Sequence, residues 1–118
     1  MEQDLKLLVR QFKALSNEHR LKLLLQIVAH ERAYGREQGC LINEMVADWR
    51  ICAATISHHI RIMESARVID VEKVEKYIIA RVNLDTYEMR MRLFHVRPEA
   101  EHMKALLRSR PTDIIETN

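Results

Sequence analysis

The sequence of 118 residues contains few residues that interrupt regular structure, with two glycines and two prolines. This scarcity predicts long regular elements and few loops. Aromatic residues make up only 5% of the chain while Leu, Ile, Met and Val are abundant, a balance typical of helical packing. The length supports one domain with its own core and is too short for two. We therefore expect a mainly α single domain over residues 1–110, followed by a tail at 111–118.

Long apolar runs and a strong excess of charge are also missing. No run reaches the length of a membrane-spanning helix, and Met1 to Asp4 lack the basic start and apolar stretch of a secretory signal. We therefore expect a cytoplasmic protein with no membrane partner. The net charge is only +2, so a nucleic-acid surface has to come from local clusters of cations.

Cysteines and catalytic motifs give no sign of an enzyme. Cys40 and Cys52 have no CxxC spacing, and we interpret them as reduced, packed thiols rather than a disulfide or a metal site. The sequence has no Gly-rich phosphate loop, nucleophile elbow or HExxH. Ser57, His58 and His59 cannot form a triad by adjacency, because a triad needs an orienting group brought in by the fold. We expect neither enzymatic activity nor a cofactor.

The first two helices are predicted from apolar residues spaced about one helical turn apart. The stripe of the first helix comprises Leu5, Leu8, Phe12 and Leu15. The stripe of the second comprises Leu21, Leu24, Leu25 and Val28. Asn17 is a suitable N-cap for the second helix, which should end near His30. The polar segment 31–39 contains both glycines and predicts a loop.

A third, short helix is predicted over 41–48, then a turn at 49–51 and a fourth helix over about 53–66. The apolar stripe of the fourth helix comprises Ile56, Ile60 and Met63. Its outer face carries Ser57, His58 and Arg61, with Thr55 on the flank. A helix with short polar groups and one long cation on its outer face is suited to a DNA groove.

After this helix the pattern changes to period two. Apolar and acidic residues alternate over 69–72, and a β-type run at 77–82 follows the charged segment 73–76, which predicts a hairpin. Asp85 to Glu88 resembles a capping box for a helix to about Phe94, and a further helix restarts at Pro98. The predicted order is α-α-α-α-β-β-α(-α), the winged helix-turn-helix arrangement, mainly α with a small β-hairpin.

Two segments resemble the ArsR-type winged-helix repressors. Phe12 to Leu24, with its Ala-Leu pair before a capped helix, is similar to the opening of that family, and Thr55 to Arg61, with its His-His pair, is similar to the family's recognition helix. The resemblance covers about Leu5 to Asn83. It implies a homodimeric transcriptional regulator, usually a repressor released from operator DNA by an inducer. It also implies a dimer interface formed by the terminal helices.

The sequence departs from the family at several positions. Family members often have glycine in the helix-turn-helix turn, after the recognition helix and in the wing, where this chain has Arg50, Arg67 and Glu75. The Cys-x-Cys pair of metal-sensing members corresponds to Leu41 and Asn43, and their Asp-x-His pair corresponds to Asp85 and Tyr87. A third group of possible metal ligands comprises His95, Glu99, Glu101 and His102. Because their spacing matches no helical ligand pair, we interpret them as surface residues. We therefore predict no metal site.

Candidate DNA contacts follow from the helix-turn-helix context. Ser57, His58 and Arg61 can reach base edges or phosphates, and Thr55 is better placed for a phosphate. Arg50 is interpreted either as a tolerated turn residue or as a phosphate clamp.

The wing and the start of the fourth helix suggest that base recognition is limited. Lys73 and Lys76, with Arg81 behind them, can reach the DNA backbone, but the acidic residues of the hairpin weaken this contribution. Ala53 and Ala54 predict few direct hydrogen bonds to bases, and His59 is predicted to be buried.

Two alternatives to double-stranded DNA as partner remain open at this point. One is a winged-helix module that binds proteins and not DNA, which the acidic wing and the two alanines favour. The other is a metal or redox sensor with an unfamiliar site, for which Cys52 is a candidate because a helix N-terminus can lower a thiol pKa. No pattern in the sequence identifies an inducer.

Overall fold

The computed structural model describes residues 2–86 and 88. The helices of this part are α1 (Glu2–Leu15), α2 (Glu18–Tyr34), α3 (Ile42–Met45) and α4 (Ala53–Ser65). The strands are β1 (Cys40–Leu41), β2 (Ile69–Val74) and β3 (Tyr77–Val82). Residues 84–86 and 88 are again helical. Several predictions concern residues outside the described part. These are the continuation of the helix to Phe94, the further helix from Pro98, the tail at 111–118, and the surface residues around His95 and His102.

The start of α2 is confirmed and its end is not. The Asn17 side chain accepts hydrogen bonds from the backbone of His19 and Arg20, at 3.0 and 3.1 Å. The helix continues past His30 to Tyr34, because residues 31–34 contain no helix breaker and Gly35, with φ 82°, is the first residue suited to end it. Glu31 also ties this last turn to the sheet, since its carboxylate accepts from the Val82 N–H at 2.8 Å.

The buried face of α2 differs from the predicted stripe. Its buried residues are Leu23, Leu24 and Ile27, whereas Leu21 and Leu25 are 42% and 60% exposed. The segment from Leu21 to Val28 is apolar around much of the helix, so two overlapping stripes fit the helical period equally well. Tertiary packing selects between them.

The third helix is shorter than predicted, because part of the segment forms a strand. Cys40 and Leu41 pair antiparallel with Ala80 and Ile79 of β3, which gives a three-stranded sheet in the order β1-β3-β2. The helix α3 then makes a single turn, and residues 46–48 are turns. Gly39 permits this entry, since its φ is 72° and a Cβ there would clash with the Ile79 side chain.

The hairpin is confirmed, with a tighter turn than predicted. The β2–β3 pairing runs from Ile69↔Val82 to Val74↔Tyr77, so only Glu75 and Lys76 remain as the turn. Glu75 has φ 56°, and Arg67, which follows α4, has φ 58°. The backbone therefore adopts the glycine-favouring conformation at these two positions without glycine, at a cost of about 1 kcal/mol or more each. Arg50 is not among the residues with positive φ.

The core joins the helices to the sheet. Its largest fully buried side chains are Leu23, Ile27, Ile42, Met63 and Ile69. The predicted inner face of α4, formed by Ile56, Ile60 and Met63, is confirmed as buried. One face of α4 is therefore fixed against the core and its other face points outward.

A buried polar contact connects α1 to the last helical segment. Gln11, 2% exposed, donates from Nε2 to the Thr86 hydroxyl at 3.0 Å, and that hydroxyl donates to the Arg67 carbonyl at 2.6 Å. Asn83, not the predicted Asp85, caps this segment, because its side chain accepts from the Thr86 N–H at 2.8 Å. None of the helices in residues 2–86 and 88 is long and apolar enough to cross a membrane.

Candidate nucleic-acid interface

The helix α4 begins at Cys52, whose extended backbone leaves its carbonyl free to accept from the Thr55 and Ile56 N–H groups at 3.1 Å. Thr55, His58 and Arg61 are exposed, and Ser57 is partly buried. Ala53 and Ala54 are also exposed, so the first two residues of the helix offer no side-chain hydrogen bond. The polar part of α4 therefore starts at Thr55.

The outer residues of α4 do not all face the same concavity. Ser57 lines a cavity of about 360 Å³ between α3, α4 and the wing, where Lys76 is also found. His58 and Arg61 instead line an open groove of about 470 Å³ between α1 and α4. Arg50 lies in a third concavity, of about 470 Å³, that His19, Lys22 and Trp49 also line. 

The groove between α1 and α4, called the α1–α4 groove below, contains cations that the sequence reasoning missed. Arg10 and Lys13 of α1 line it together with His58 and Arg61 of α4. Arg10 is anchored there by a hydrogen bond from its guanidinium to the Ser65 carbonyl at 3.1 Å. The helical period predicts which residues share one face of a single helix. It does not predict that α1 packs against α4, so no sequence pattern indicated this cluster.

His59 has the buried role that was predicted. It is 6% exposed, and its Nδ1 lies 3.2 Å from a guanidinium nitrogen of Arg20. Because arginine can only donate, Nδ1 is the acceptor and the ring is neutral with its proton on Nε2. Desolvation, followed by the charge of Arg20 and the neighbouring His19 and His58, lowers the pKa of His59.

A series of rings links the start of α2 to α4. The ring centroids of His19 and Trp49 lie 6.1 Å apart, and those of His19 and His59 lie 5.8 Å apart. The Lys22 ammonium lies 4.6 Å from the centre of the Trp49 ring, within the range of a cation–π contact. Lys22, Trp49 and the exposed Arg50 line one concavity beside the helix-turn-helix turn.

The two cysteines differ in exposure. Cys40 is buried, as expected for a packed thiol, but Cys52 is exposed, so the prediction of two packed thiols is wrong for Cys52. Its Sγ lies 3.1 Å from the Thr55 hydroxyl, and this hydrogen bond lowers the pKa of the Cys52 thiol. Burial raises the pKa of Cys40. Within the described residues, no group of three or more His, Cys, Asp or Glu side chains is placed to hold a metal ion.

Two carboxylates of the wing have partners, and one of these partners is a cation. Asp70 accepts a hydrogen bond from the Asn83 side chain at 2.9 Å, and Glu72 forms a salt bridge with Arg81 at 3.2 Å. Arg81 also donates to the backbone carbonyls of Arg36 and Glu37, at 2.8 and 2.7 Å. Arg81 therefore holds the loop before β1. This role differs from the prediction, in which Arg81 lies behind the wing and can reach the DNA backbone.

The tip of the wing is tied to α3 by Asn43, a residue for which the sequence predicted no structural role. The Asn43 side chain accepts from the Ile78 N–H at 2.9 Å and donates to the Lys76 carbonyl at 3.2 Å. Lys73 and Lys76 are exposed beside this contact. Asn43 thus fixes the wing lysines relative to the helix-turn-helix.

No protein-family model matches the chain, and no curated protein matches its sequence. Among solved structures, the chain is similar to the crystal structure of an ArsR family transcriptional regulator, with a TM-score of 0.62 and 14% sequence identity. The match covers 89% of this chain and 94% of that one. The chain has a winged-helix fold. In this winged helix, α3 and α4 form the helix-turn-helix and β2 and β3 form the wing.

Proposed function

We propose that this winged-helix protein is a transcriptional regulator of the ArsR type that binds double-stranded DNA as a homodimer, with α4 in the major groove. The observation that carries the proposal is the division of α4 into a buried face and an exposed face that includes His58 and Arg61. A helix fixed on one side by the core and polar on the other is how this fold presents base and phosphate contacts.

The proposed interface includes the seven residues that the sequence predicts as DNA contacts. On and before α4 these are Arg50, Thr55, Ser57, His58 and Arg61, and on the wing they are Lys73 and Lys76. Five of these seven residues line three concavities around α4, which supports a continuous contact surface, with Lys76 on one side of α4 and the α1–α4 groove on the other. Because Ala53 and Ala54 open the helix, we propose that phosphate contacts and DNA shape contribute more to recognition than hydrogen bonds to bases.

The dimer is proposed to form through α1. Leu5 and Val9 of this helix are 52% and 51% exposed, and Leu84 in the last described helical segment is 48% exposed. A second copy of the chain can cover such a stripe, as the resemblance implies, and a two-fold dimer reads a palindromic site whose half-sites lie one or more helical turns apart. A repressor released by an inducer is the form of regulation that the resemblance implies.

The test starts from duplexes selected by the wild-type protein from a randomised pool. Replacing Arg61 or His58 with Ala should weaken binding to the selected duplex by about 1–3 kcal/mol, measured by fluorescence anisotropy. Arg32→Ala is the matched control, because Arg32 is an exposed cation of α2 outside this surface. Unchanged affinity of both α4 variants, with folding confirmed by circular dichroism, would remove this face from the interface.

The rival function is a winged-helix module that binds a protein and not DNA. The alanines that begin α4 and Glu75 at the wing tip favour it, since neither contributes to binding an anion. Salt dependence separates the two functions, because DNA binding releases counterions and weakens steeply as salt rises. If no duplex from the pool binds with such a dependence, the protein-binding function is supported.

A further inference from the structure

The surface of α1 is divided into three faces. Its buried residues are Leu8, Gln11 and Ala14. Its exposed apolar residues are Leu5, Val9 and Phe12. Its third face is basic, with the exposed residues Lys6, Arg10 and Lys13. Arg10 and Lys13 are one helical turn apart and therefore lie on the same side of α1.

The basic face of α1 meets the exposed end of α4 in the α1–α4 groove. Arg10, Lys13, His58 and Arg61 line it, and no carboxylate is among its lining residues. The salt bridges of the described part join Arg36 to Glu31 and Arg81 to Glu72, so neither Arg10 nor Lys13 is neutralised there. One N–H of Arg10 is used on Ser65, which leaves other donors of this guanidinium for an anion.

We propose that the α1–α4 groove binds a backbone phosphate of the DNA duplex, so that Arg10 and Lys13 are DNA contacts supplied from outside the helix-turn-helix. This inference rests on the proposed function. The groove is open and shares His58 and Arg61 with the surface that is proposed to face the duplex. A guanidinium and an ammonium side by side match a phosphate diester, which carries one charge and several acceptors.

The position of the groove also determines which phosphate it holds. Leu5 and Val9, on the same helix as Arg10, are proposed to lie in the dimer interface. The groove then lies between the two-fold axis and α4, so its phosphate belongs to the part of the site between the two half-sites. Such a contact fixes the register and spacing of the half-sites but reads no base.

The test compares the salt dependence of binding to a selected duplex. Each phosphate contact contributes about 0.9 to the slope of log K against log salt. Lys13→Ala removes one contact from each protomer, so the slope should become shallower by about two in the dimer, and Lys13→Arg should keep the wild-type slope. The Lys13 side chain carries no hydrogen bond or salt bridge within the described residues, so its loss should leave the fold intact.

Lys6→Ala is the matched control. It removes the same charge from the same face of α1, but Lys6 lies about 10 Å further along the helix and does not line the groove. We expect it to keep a slope close to that of the wild type. Equal slope changes in the Lys6 and Lys13 variants would overturn the groove as a local site, because both would then act through the overall charge of the helix.

Neutral methylphosphonate linkages locate the contact on the DNA. Placed between the half-sites, they should weaken wild-type binding and have much less effect on Lys13→Ala. An effect confined to linkages outside the half-sites would overturn the proposed position. The alternative ligand of the groove is a free phosphate ion, which is tested by titrating the free protein with inorganic phosphate and following the titration by NMR. Saturable binding that Lys13→Ala abolishes, together with an unchanged salt slope for DNA binding, would assign the groove to a free anion.

The outcomes separate this inference from the function on which it rests. If the wild-type protein binds no duplex with a steep salt dependence, the proposed function fails. If it does bind in this way and Lys13→Ala keeps the wild-type slope, only the phosphate contact of the groove fails.

Discussion

At the scale of single residues, the burial of His59 makes stability depend on pH. The pKa of this imidazole is lowered in the native state from the value of about 6.5 expected in the unfolded chain. As the pH falls through about 6.5, this side chain binds a proton more readily in the unfolded chain than in the native state. The free energy of unfolding therefore decreases as the pH falls below about 7.

The variant His59→Asn tests this dependence. Its side-chain oxygen can still accept from Arg20 but does not titrate. We expect urea denaturation at pH 7.5, 6.5 and 5.5 to show a smaller loss of stability in the variant than in the wild type. The other titrating groups are common to both proteins, so parallel pH profiles would contradict a neutral His59.

The wing turn has a residue whose backbone conformation suits glycine. Glu75 has φ 56°, and Glu75→Gly should raise the free energy of unfolding by about 0.5–1 kcal/mol, because relief of the strain exceeds the added entropy of the unfolded chain. The control Glu75→Ala removes the same charge and keeps the Cβ. Equal stabilisation of both variants in urea denaturation would attribute the effect to charge.

At the scale of elements, Asn43 takes the place of a strand partner. The strand β1 ends at Leu41, and the Ile78 N–H beyond it bonds to the Asn43 side chain. Asn43→Ala should speed hydrogen exchange at the Ile78 amide about five-fold, as expected from the loss of a hydrogen bond of about 1 kcal/mol. Asn43→Asp keeps the acceptor and should keep the protection. Equal exchange in the wild type and in both variants would contradict this anchoring.

The elements that the sequence predicted well are those with a long local signal. The period of α4 placed Ile56, Ile60 and Met63 inside, and the N-cap at Asn17 was visible as a residue type. By contrast, β1 has two residues and exists only because β3 pairs with it, which no local pattern shows. The face of α2 was ambiguous because its apolar residues surround much of the helix. The same limit applies to the α1–α4 groove, whose cations come from helices far apart in the sequence.

At the scale of the whole molecule, the proposed dimer makes the interfaces of α1 and α4 interdependent. Two recognition helices bind one palindromic duplex tightly only when a fixed spacing holds them together. Loss of the dimer should therefore reduce affinity for a full site far more than affinity for a single half-site.

Leu5→Glu tests this dependence, because it places a charge in the exposed apolar stripe of α1, where Leu5 is 52% exposed. In a dimer interface, an unpaired buried carboxylate is strongly unfavourable, so we expect sedimentation equilibrium to show a monomer. The Kd for a full palindromic site should rise by at least ten-fold, with little change for a single half-site. Gln3→Glu adds the same charge to α1 at an exposed polar position and should remain dimeric. A dimeric Leu5→Glu protein would show that α1 is not the interface, and it would also remove the reason for placing the α1–α4 groove between the half-sites.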